Sequence, residues 1–344
     1  MNARYATTDE IANWDTLILQ NPDGGNIFST YEYSEIKKLT QYMPRYIVAG
    51  SYAVTVLEKN TPPIGTLWYL PKGPGVTSTK ELSEVLKAIK PLARKAHAFV
   101  VRIESELEKS SQPSLERSGL KPAKAIIPNP STITLDISAS PEELLTSLPQ
   151  KGRHAIRRAE RDGVTVKQVP TTAKNCAIMY DLLKGTAEGQ FGIRNQVYYR
   201  FFWQTFSKAG LGQLFFAYYE GEVVAGAYAM TLGAKSTYKD GASVRERTAY
   251  GASHLLQWEV IKWAKSKGAT LHDFCGSPPS DEIHNTDHPH YGVGRFKLSF
   301  SKNVVDYIGC YDLVVSPMRY TAWVKFGERA HRHIYYKRTG DYYY

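Results

Sequence analysis

The sequence predicts a mixed α/β protein built as two domains, and three observations carry that expectation. Its 344 residues exceed what one ordinary core organises, since domains usually run to roughly 100–200 residues. Segments with helical and strand-like spacing alternate through both halves of the chain. Neither a sustained heptad nor a short tandem period interrupts that alternation.

The elements follow in order. Thr8–Leu19 reads as a helix, stopped by the turn Asn21-Pro22-Asp23-Gly24-Gly25. A short helix opens near Thr30 and carries Tyr33, Ile36, Lys37 and Lys38. Tyr46–Leu57 reads as one strand and Thr66–Leu70 as another, separated by Pro62-Pro63. Beyond the stiff turn Pro71–Gly75, residues Leu82, Val85, Leu86, Ile89, Leu92, Ala93 and Ala96 form one helical stripe. That helix feeds a strand, Phe99–Ile103, ending at Glu104. Ile133–Ile137 is the next strand, and Ser140-Pro141 with Glu142 and Glu143 starts a helix. Lys151–Arg161 is a strongly basic helix. Val164 and Val166 open a strand, Thr172–Lys208 is aromatic-rich and helical, and Leu214–Tyr219 with Glu222–Leu232 forms a hairpin about Glu220-Gly221. Tyr238–Gly241 ends another strand. Leu256, Val260, Trp263 and Ala264 mark a helix, after which Thr270–Phe274 runs parallel to an earlier strand. Arg295-Phe296-Lys297 reads as strand. The expected domains are 1–145 and 146–320, with a basic, aromatic C-terminal segment at 321–344.

Composition narrows the function. With 42% hydrophobic and 22% charged residues, disorder is excluded. Lys plus Arg is 43 against 33 for Asp plus Glu, a net charge of +10, which favours phosphate-bearing or anionic partners. Cys176, Cys275 and Cys310 lack CxxC pairing, which fits a reducing cytosol and argues against a cysteine-built zinc site. Asp9, Glu10 and Asp15 break any signal-like stretch, and no apolar run approaches the roughly 18 residues of a membrane span. GxGxxG, Walker, HExxH and kinase motifs are missing. His284, His288 and His290 stand among Asp281, Glu282 and Asp287, but Pro278-Pro279 and Pro289 mark a substrate-side loop, and no metal is expected.

One ordered set of segments is more specific. The run Lys151-Gly-Arg-His-Ala-Ile-Arg-Arg-Ala-Glu-Arg-Asp-Gly163 resembles the basic helix opening the second domain of the Fem family of peptidoglycan-bridge aminoacyltransferases. Tyr69-Leu-Pro-Lys-Gly-Pro74, Arg102-Ile-Glu104, Gly226–Met230, Leu255–Ala264, Asp273-Phe-Cys-Gly276, Gly294-Arg-Phe-Lys297 and Ile308-Gly309 resemble it in the family's order. The resemblance implies two tandem acyl-CoA N-acyltransferase (GNAT)-like domains, mixed sheets flanked by helices, with an active groove between or along them. The short distance from Gly163 to Gly226 implies a compact FemX-like type without a long coiled-coil insertion. The implied activity is transfer of an amino acid from aminoacyl-tRNA to an amine of the stem peptide of a UDP-linked or lipid-linked muropeptide precursor. That reaction starts from an activated ester, so no cofactor is expected. The implied setting is cytoplasmic, with peripheral contact at the inner face of the membrane. Two alternatives stay open: transfer to an amine outside peptidoglycan, and a catalytically silent tRNA- or muropeptide-binding protein.

Ester aminolysis needs a neutral amine, stabilisation of an oxyanion and protonation of the departing ribose oxygen. The resemblance assigns Lys297 to charge stabilisation at the ester or the tRNA terminal phosphate, with Arg295 as its substitute. In a regular strand both would face the same way. Glu104 stands where the family commonly has aspartate, as the carboxylate for the attacking amine. Lys37, or Lys38 by a one-residue slip, together with Arg194, Tyr198 and Tyr238 correspond to contacts with a diphosphate and uridine, for which two cations with phenolic donors are suited. Arg194 and Tyr198 would share one face if Ile193–Phe206 is helical. Arg153, Arg157 and Arg161 recur at spacing four, a positive stripe for a tRNA backbone. Lys325 and Arg329, with Arg332, Lys337, Arg338, Trp323, Tyr335 and Tyr336, suit an exposed tRNA end or anionic lipid. Arg247–Gly251 is a degraded form of a CoA phosphate loop, which argues against CoA.

Overall fold

Strand pairing, more than chain position, divides this molecule. The computed structural model describes residues 1–127, 130–187, 191–244 and 249–344. They form two units, Met1–Pro130 with Asp306–Tyr344, and Ser131–Val305.

The first unit opens with β1 (Ala3–Tyr5), α1 (Thr8–Ala12) and α2 (Trp14–Leu19). The helix expected over Thr8–Leu19 is thus two short ones, broken at Asn13, whose φ of −112° leaves the helical range. Thr30 caps α3 (Tyr31–Lys38) by accepting from the Tyr33 amide. The strand expected over Tyr46–Leu57 is a hairpin of β2 (Tyr42–Ala49) and β3 (Tyr52–Thr61). Gly50, at φ +60°, permits the tight turn that pairs Ala49 with Tyr52. β4 (Gly65–Leu70) completes an antiparallel meander. Helix α4 (Thr79–Lys95) then crosses over, its Ser78 and Glu81 forming a capping box and Leu82, Val85, Leu86, Ile89 and Ala93 facing the core. β5 (Ala98–Ile103) returns parallel to β4 and is buried along its whole length, as a strand covered on both faces must be. The short α5 (Gln112–Arg117) and β6 (Lys121–Pro122) follow.

The second unit repeats this logic. It contains β7 (Ser131–Asp136), α6 (Pro141–Ser147), α7 (Gln150–Arg161), β8 (Thr165–Val169), α8 (Ala173–Ala187), α9 (Gln196–Lys208), β9 (Gly212–Tyr219), β10 (Glu222–Leu232), β11 (Lys235–Ser243), α10 (Ala252–Ser266), β12 (Leu271–Asp273), α11 (Tyr291–Lys297) and β13 (Val304–Asp306). Strands β8 to β11 form an antiparallel meander, α10 crosses over, and β12 lies parallel to β11. Between β8 and β9 the described residues hold only helices of ordinary length. On α7 the apolar stripe is small: Gly152, Ala155, Ile156 and Ala159. A Cβ on Gly152 would stand 1.9 Å from the Ser299 carbonyl oxygen, and one on Gly251 would stand 2.2 Å from that of Ala155. Small residues therefore set how closely this basic helix packs.

The chain then returns to the first unit. β14 (Tyr311–Val314) inserts between β5 and β6, followed by α12 (Pro317–Ala322), a π-helical turn at Trp323–Gly327 and α13 (Glu328–Thr339). Arg102 on β5 holds Asp312 on β14 through two bonds of 2.9 and 3.0 Å, both side chains buried. Lys59 donates to the carbonyls of Thr40 and Tyr343 at 2.7 and 2.6 Å beneath the rings of Tyr42 and Tyr343. These contacts correct the expected domain limits. The boundary falls at 130 rather than 145 because β7 pairs with β12, and residues 306–344 belong to the first unit because β14 pairs with β5. The expected mixed sheets flanked by helices are the observed architecture.

Candidate functional site

In the second unit the chemistry gathers at the end of β12. Cys275 and Gly276 both take positive φ, 56° and 24°. The turn is held by Asp273, whose carboxylate accepts from the Cys275 amide at 2.7 Å and from the Thr132 hydroxyl. Lys297 donates its ammonium to the Cys275 carbonyl and, at 2.6 Å, to that of Gly276. The side chain is buried, and desolvation lowers its pKa to about 8 against the opposing pull of Cys275 and Asp273. Lys297 thus changes charge near neutral pH.

The strand expected at Arg295-Phe296-Lys297 is the end of α11. Gly294, Lys297 and Leu298 are its buried residues, at helical spacing, and three residues are too few to reveal that period. On a helix, positions two apart point about 200° away from each other. Arg295 accordingly lies exposed, 5.6 Å from the Tyr291 ring, and does not share the Lys297 site. One neighbour had no sequence signal. His254, in the first turn of α10, packs between Phe296 and Phe300 at centroid distances of 5.0 and 5.6 Å. Its Nε2 is buried with no hydrogen-bond partner among the described residues, and burial, aided by Lys151, lowers its pKa to about 4.

A second cluster lies between α9 and β11. Helix α9 begins at Gln196, capped by Asn195, so Arg194 precedes the expected helix, yet its guanidinium lies 4.7 Å from the Tyr198 ring. Tyr238 is elsewhere. In the β10–β11 ladder Ala229 pairs with Tyr238 and Tyr228 with Asp240, leaving Lys239 as the extra residue of a β-bulge. Tyr238 packs with Ala229 on the core beneath α10, its hydroxyl filling the space a side chain at Gly241 would need. Lys239 instead stands 5.2 Å from Phe202 on α9 and 2.8 Å from Asp240, which also accepts from Trp203 at 2.9 Å. Arg194 and Lys239 both pull down the Tyr199 pKa, which burial nevertheless raises to about 12. The structure thus puts Lys239, which sequence spacing did not single out, beside Arg194 and Tyr198 in place of Tyr238.

The basic helix loses one member of its stripe. Arg153 turns back to the carbonyls of Thr146 and Leu148, at 2.5 and 3.0 Å, and so closes the C-terminus of α6. Arg157 and Arg161 remain exposed. Arg247 lies outside the described residues. Among the described residues no three His, Cys, Asp or Glu side chains are grouped to hold a metal ion.

In the first unit Glu104 directly follows β5. It is buried and accepts from the Tyr69 hydroxyl and from the amides of Ile126 at 2.6 Å and Ile127 at 3.1 Å. Desolvation raises its pKa, although Tyr69, both amides and Lys72 pull the other way. Tyr69 is itself buried and held well above the usual phenol range, so it keeps its proton and donates a hydrogen bond to the carboxylate. Lys37 is buried, 4.9 Å from the Tyr42 ring, whereas Lys38 is exposed and paired with Glu35 at 2.6 Å. Lys325 and Arg329 are exposed on the C-terminal helices of this unit.

Comparison with known proteins agrees with this architecture. The solved structure of FemX superposes with a TM-score of 0.81 at 22% identity, covering 94% of this chain and 99% of that one. L-PGS from Bacillus licheniformis gives 0.54 at 12% identity, with 94% and 98% covered. The fold is therefore that of FemX. Residues 126–220 and 212–326 match the FemAB family, and this chain belongs to that family. The Lipid II:glycine glycyltransferase of Staphylococcus aureus strain MRSA252 is 24% identical over 392 aligned residues, covering 89% of this chain and 92% of the relative. Its counterpart in strain USA300 is 23% identical with the same coverage.

Proposed function

We propose that this chain is an aminoacyltransferase that moves an amino acid from aminoacyl-tRNA to a stem-peptide amine of a peptidoglycan precursor, building an interpeptide bridge. The observation that carries the proposal is Lys297, a buried ammonium fixed on two carbonyl groups and drawn down to about 8. Such a group is positioned in advance and stabilises negative charge strongly because water is excluded around it.

In the proposed reaction the amine attacks the ester carbonyl, a C–N bond forms, and the C–O bond to the tRNA ribose breaks. Lys297 stabilises the oxyanion and the charge leaving on the ribose oxygen. The proton that the amine loses ends on the departing ribose oxygen, which leaves as a free hydroxyl; Glu104 of the first unit is proposed as a proton carrier because burial raises its pKa. The diphosphate of the precursor is taken by Arg194 and Lys239, with Tyr198 as hydroxyl donor. Arg157, Arg161 and Arg295 follow the tRNA backbone. The names of the Staphylococcus aureus relatives favour a lipid-linked acceptor, and the proposed reaction then takes place at the inner face of the membrane.

The test is incubation of the purified chain with a labelled aminoacyl-tRNA pool and either a UDP-linked or a lipid-linked muropeptide, followed by mass analysis. A gain of one amino-acid residue on the acceptor is expected, larger for the lipid-linked form. Charged tRNA that stays charged, with no gain on either acceptor, would overturn the proposal.

A further inference from the structure

The helices that close the first unit carry an unusual surface. One side of the stretch 317–339 is firmly packed. Trp323 is fully buried, 5.5 Å from the Phe99 ring, a Cβ on Gly327 would meet Ile64 at 2.5 Å, and His331 lies 3.1 Å from the Pro62 carbonyl. On the other side Met318, Ala322, Phe326, Ala330 and Ile334 follow one another at spacing four, all exposed. Met318 is 82% exposed and Phe326 74%. In a regular α-helix such a row drifts around the axis by about 40° per step. The π-helical turn at Trp323–Gly327 takes back part of that drift, because a wider turn holds more residues. The row therefore runs about 24 Å along one side, at 1.5 Å per residue.

A second row lies one residue before Phe326, Ala330 and Ile334 and continues one step further. Lys325, Arg329, His333 and Lys337 are also spaced by four and also exposed. From 317 onward the chain has Arg319, Lys325, Arg329, Arg332, Lys337 and Arg338 against Glu328 and Asp341. The element thus presents a phenylalanine, a methionine and an isoleucine to solvent, bordered by cations.

We infer that this face docks the protein onto an anionic lipid bilayer. A bilayer interface uses both rows, accepting apolar side chains at the headgroup boundary while anionic headgroups attract the cations. A duplex phosphate backbone would engage only the cations, and a single-stranded end would stack on Phe326 but leave Met318 and Ile334 in water. Apolar residues at this exposure, aligned with a basic row, match the first surface. The inference stands on this surface alone, and its test uses neither tRNA-dependent transfer nor a precursor, so its failure leaves the proposed transfer reaction untouched.

The experiment is flotation of the full chain with vesicles of phosphatidylcholine alone and with vesicles containing phosphatidylglycerol. Binding is expected with the anionic vesicles, weakened by salt. The double variant Met318→Ser/Phe326→Ser should bind them about tenfold more weakly while its melting temperature is unchanged, since neither side chain is packed. Lys325→Gln/Lys337→Gln should lower binding to anionic vesicles only. Equal binding to both vesicle types, or anionic binding unaffected by the Met318/Phe326 change, would overturn the inference. So would a fall in deacylated tRNA binding by that variant as large as its fall in vesicle binding, which would make the face a nucleic-acid surface.

Discussion

Glu104 and Asp273 occupy the same topological place in two differently charged pockets. Each stands at the end of the strand that returns after a crossover helix, β5 in one unit and β12 in the other. Both carboxylates accept a backbone amide and a hydroxyl. In the first unit the carboxylate also accepts from a second amide and feels the Lys72 cation, yet burial drives it toward its protonated form. In the second unit α11 adds an ammonium, and burial drives that group toward its neutral form. One backbone arrangement thus supplies a proton acceptor in one unit and a movable cation in the other, and the difference lies in what packs over the strand end.

The comparison breaks most sharply at Lys297. Replacing it with methionine is expected to reduce transfer about 10²–10³-fold, the cost of losing a positioned group for developing charge. Transfer by Lys297→Met within a factor of a few of wild type would move the catalytic role elsewhere.

The pH dependence sharpens the same contrast. kcat/KM should fall about tenfold per pH unit above pH 8 as the free enzyme loses the Lys297 proton. Stability should move the opposite way. The folded pKa of about 8 lies below the ordinary lysine value of 10.5, so between these pH values the unfolded chain holds more protons and stability rises with pH. The buried ammonium therefore costs on the order of 3 kcal/mol below pH 8. Melting curves from pH 7 to 10 should show that rise in wild type and lose it in Lys297→Met. For Glu104 the shift is upward, so its contribution falls as pH climbs from the ordinary carboxylate range through the folded pKa.

A smaller effect is expected from Glu104→Gln, about tenfold in kcat with little change in KM for the tRNA. The amide keeps the volume, but its NH₂ confronts the Ile126 or Ile127 amide and it takes no proton. An unchanged kcat would reduce Glu104 to a structural anchor for residues 126–127. The smallest change is Tyr69→Phe, which removes one hydrogen bond worth about 1 kcal/mol. The Glu104 carboxyl titration followed by NMR should then move further upward, because Tyr69 now pulls it down; a downward move would show that the hydroxyl favours the protonated form.

Much of this was legible in residues alone. The stripe from Leu82 to Ala93, the Ser140-Pro141 helix start and the Glu220-Gly221 hairpin are local patterns, and each appears in the structure. Arg295–Lys297 was misread because a seven-residue helix shows only two turns of its period. Arg153 was read as a phosphate contact because its spacing matched Arg157, while its real partners are carbonyls at the end of another helix.

By itself the sequence determined the longer helices and most strands, the positive balance, and the order of motifs that marks the FemAB family. These are properties of neighbours within a turn or two, where backbone geometry fixes which residues share a face. Tertiary structure alone decided that residues 306–344 return to the first sheet, that a bulge exchanges Lys239 for Tyr238 beside Arg194, and that Lys297 and Glu104 shift toward neutrality. Each depends on desolvation or on partners far away in sequence, such as Arg102 with Asp312, and no local spacing encodes which distant groups will exclude the water.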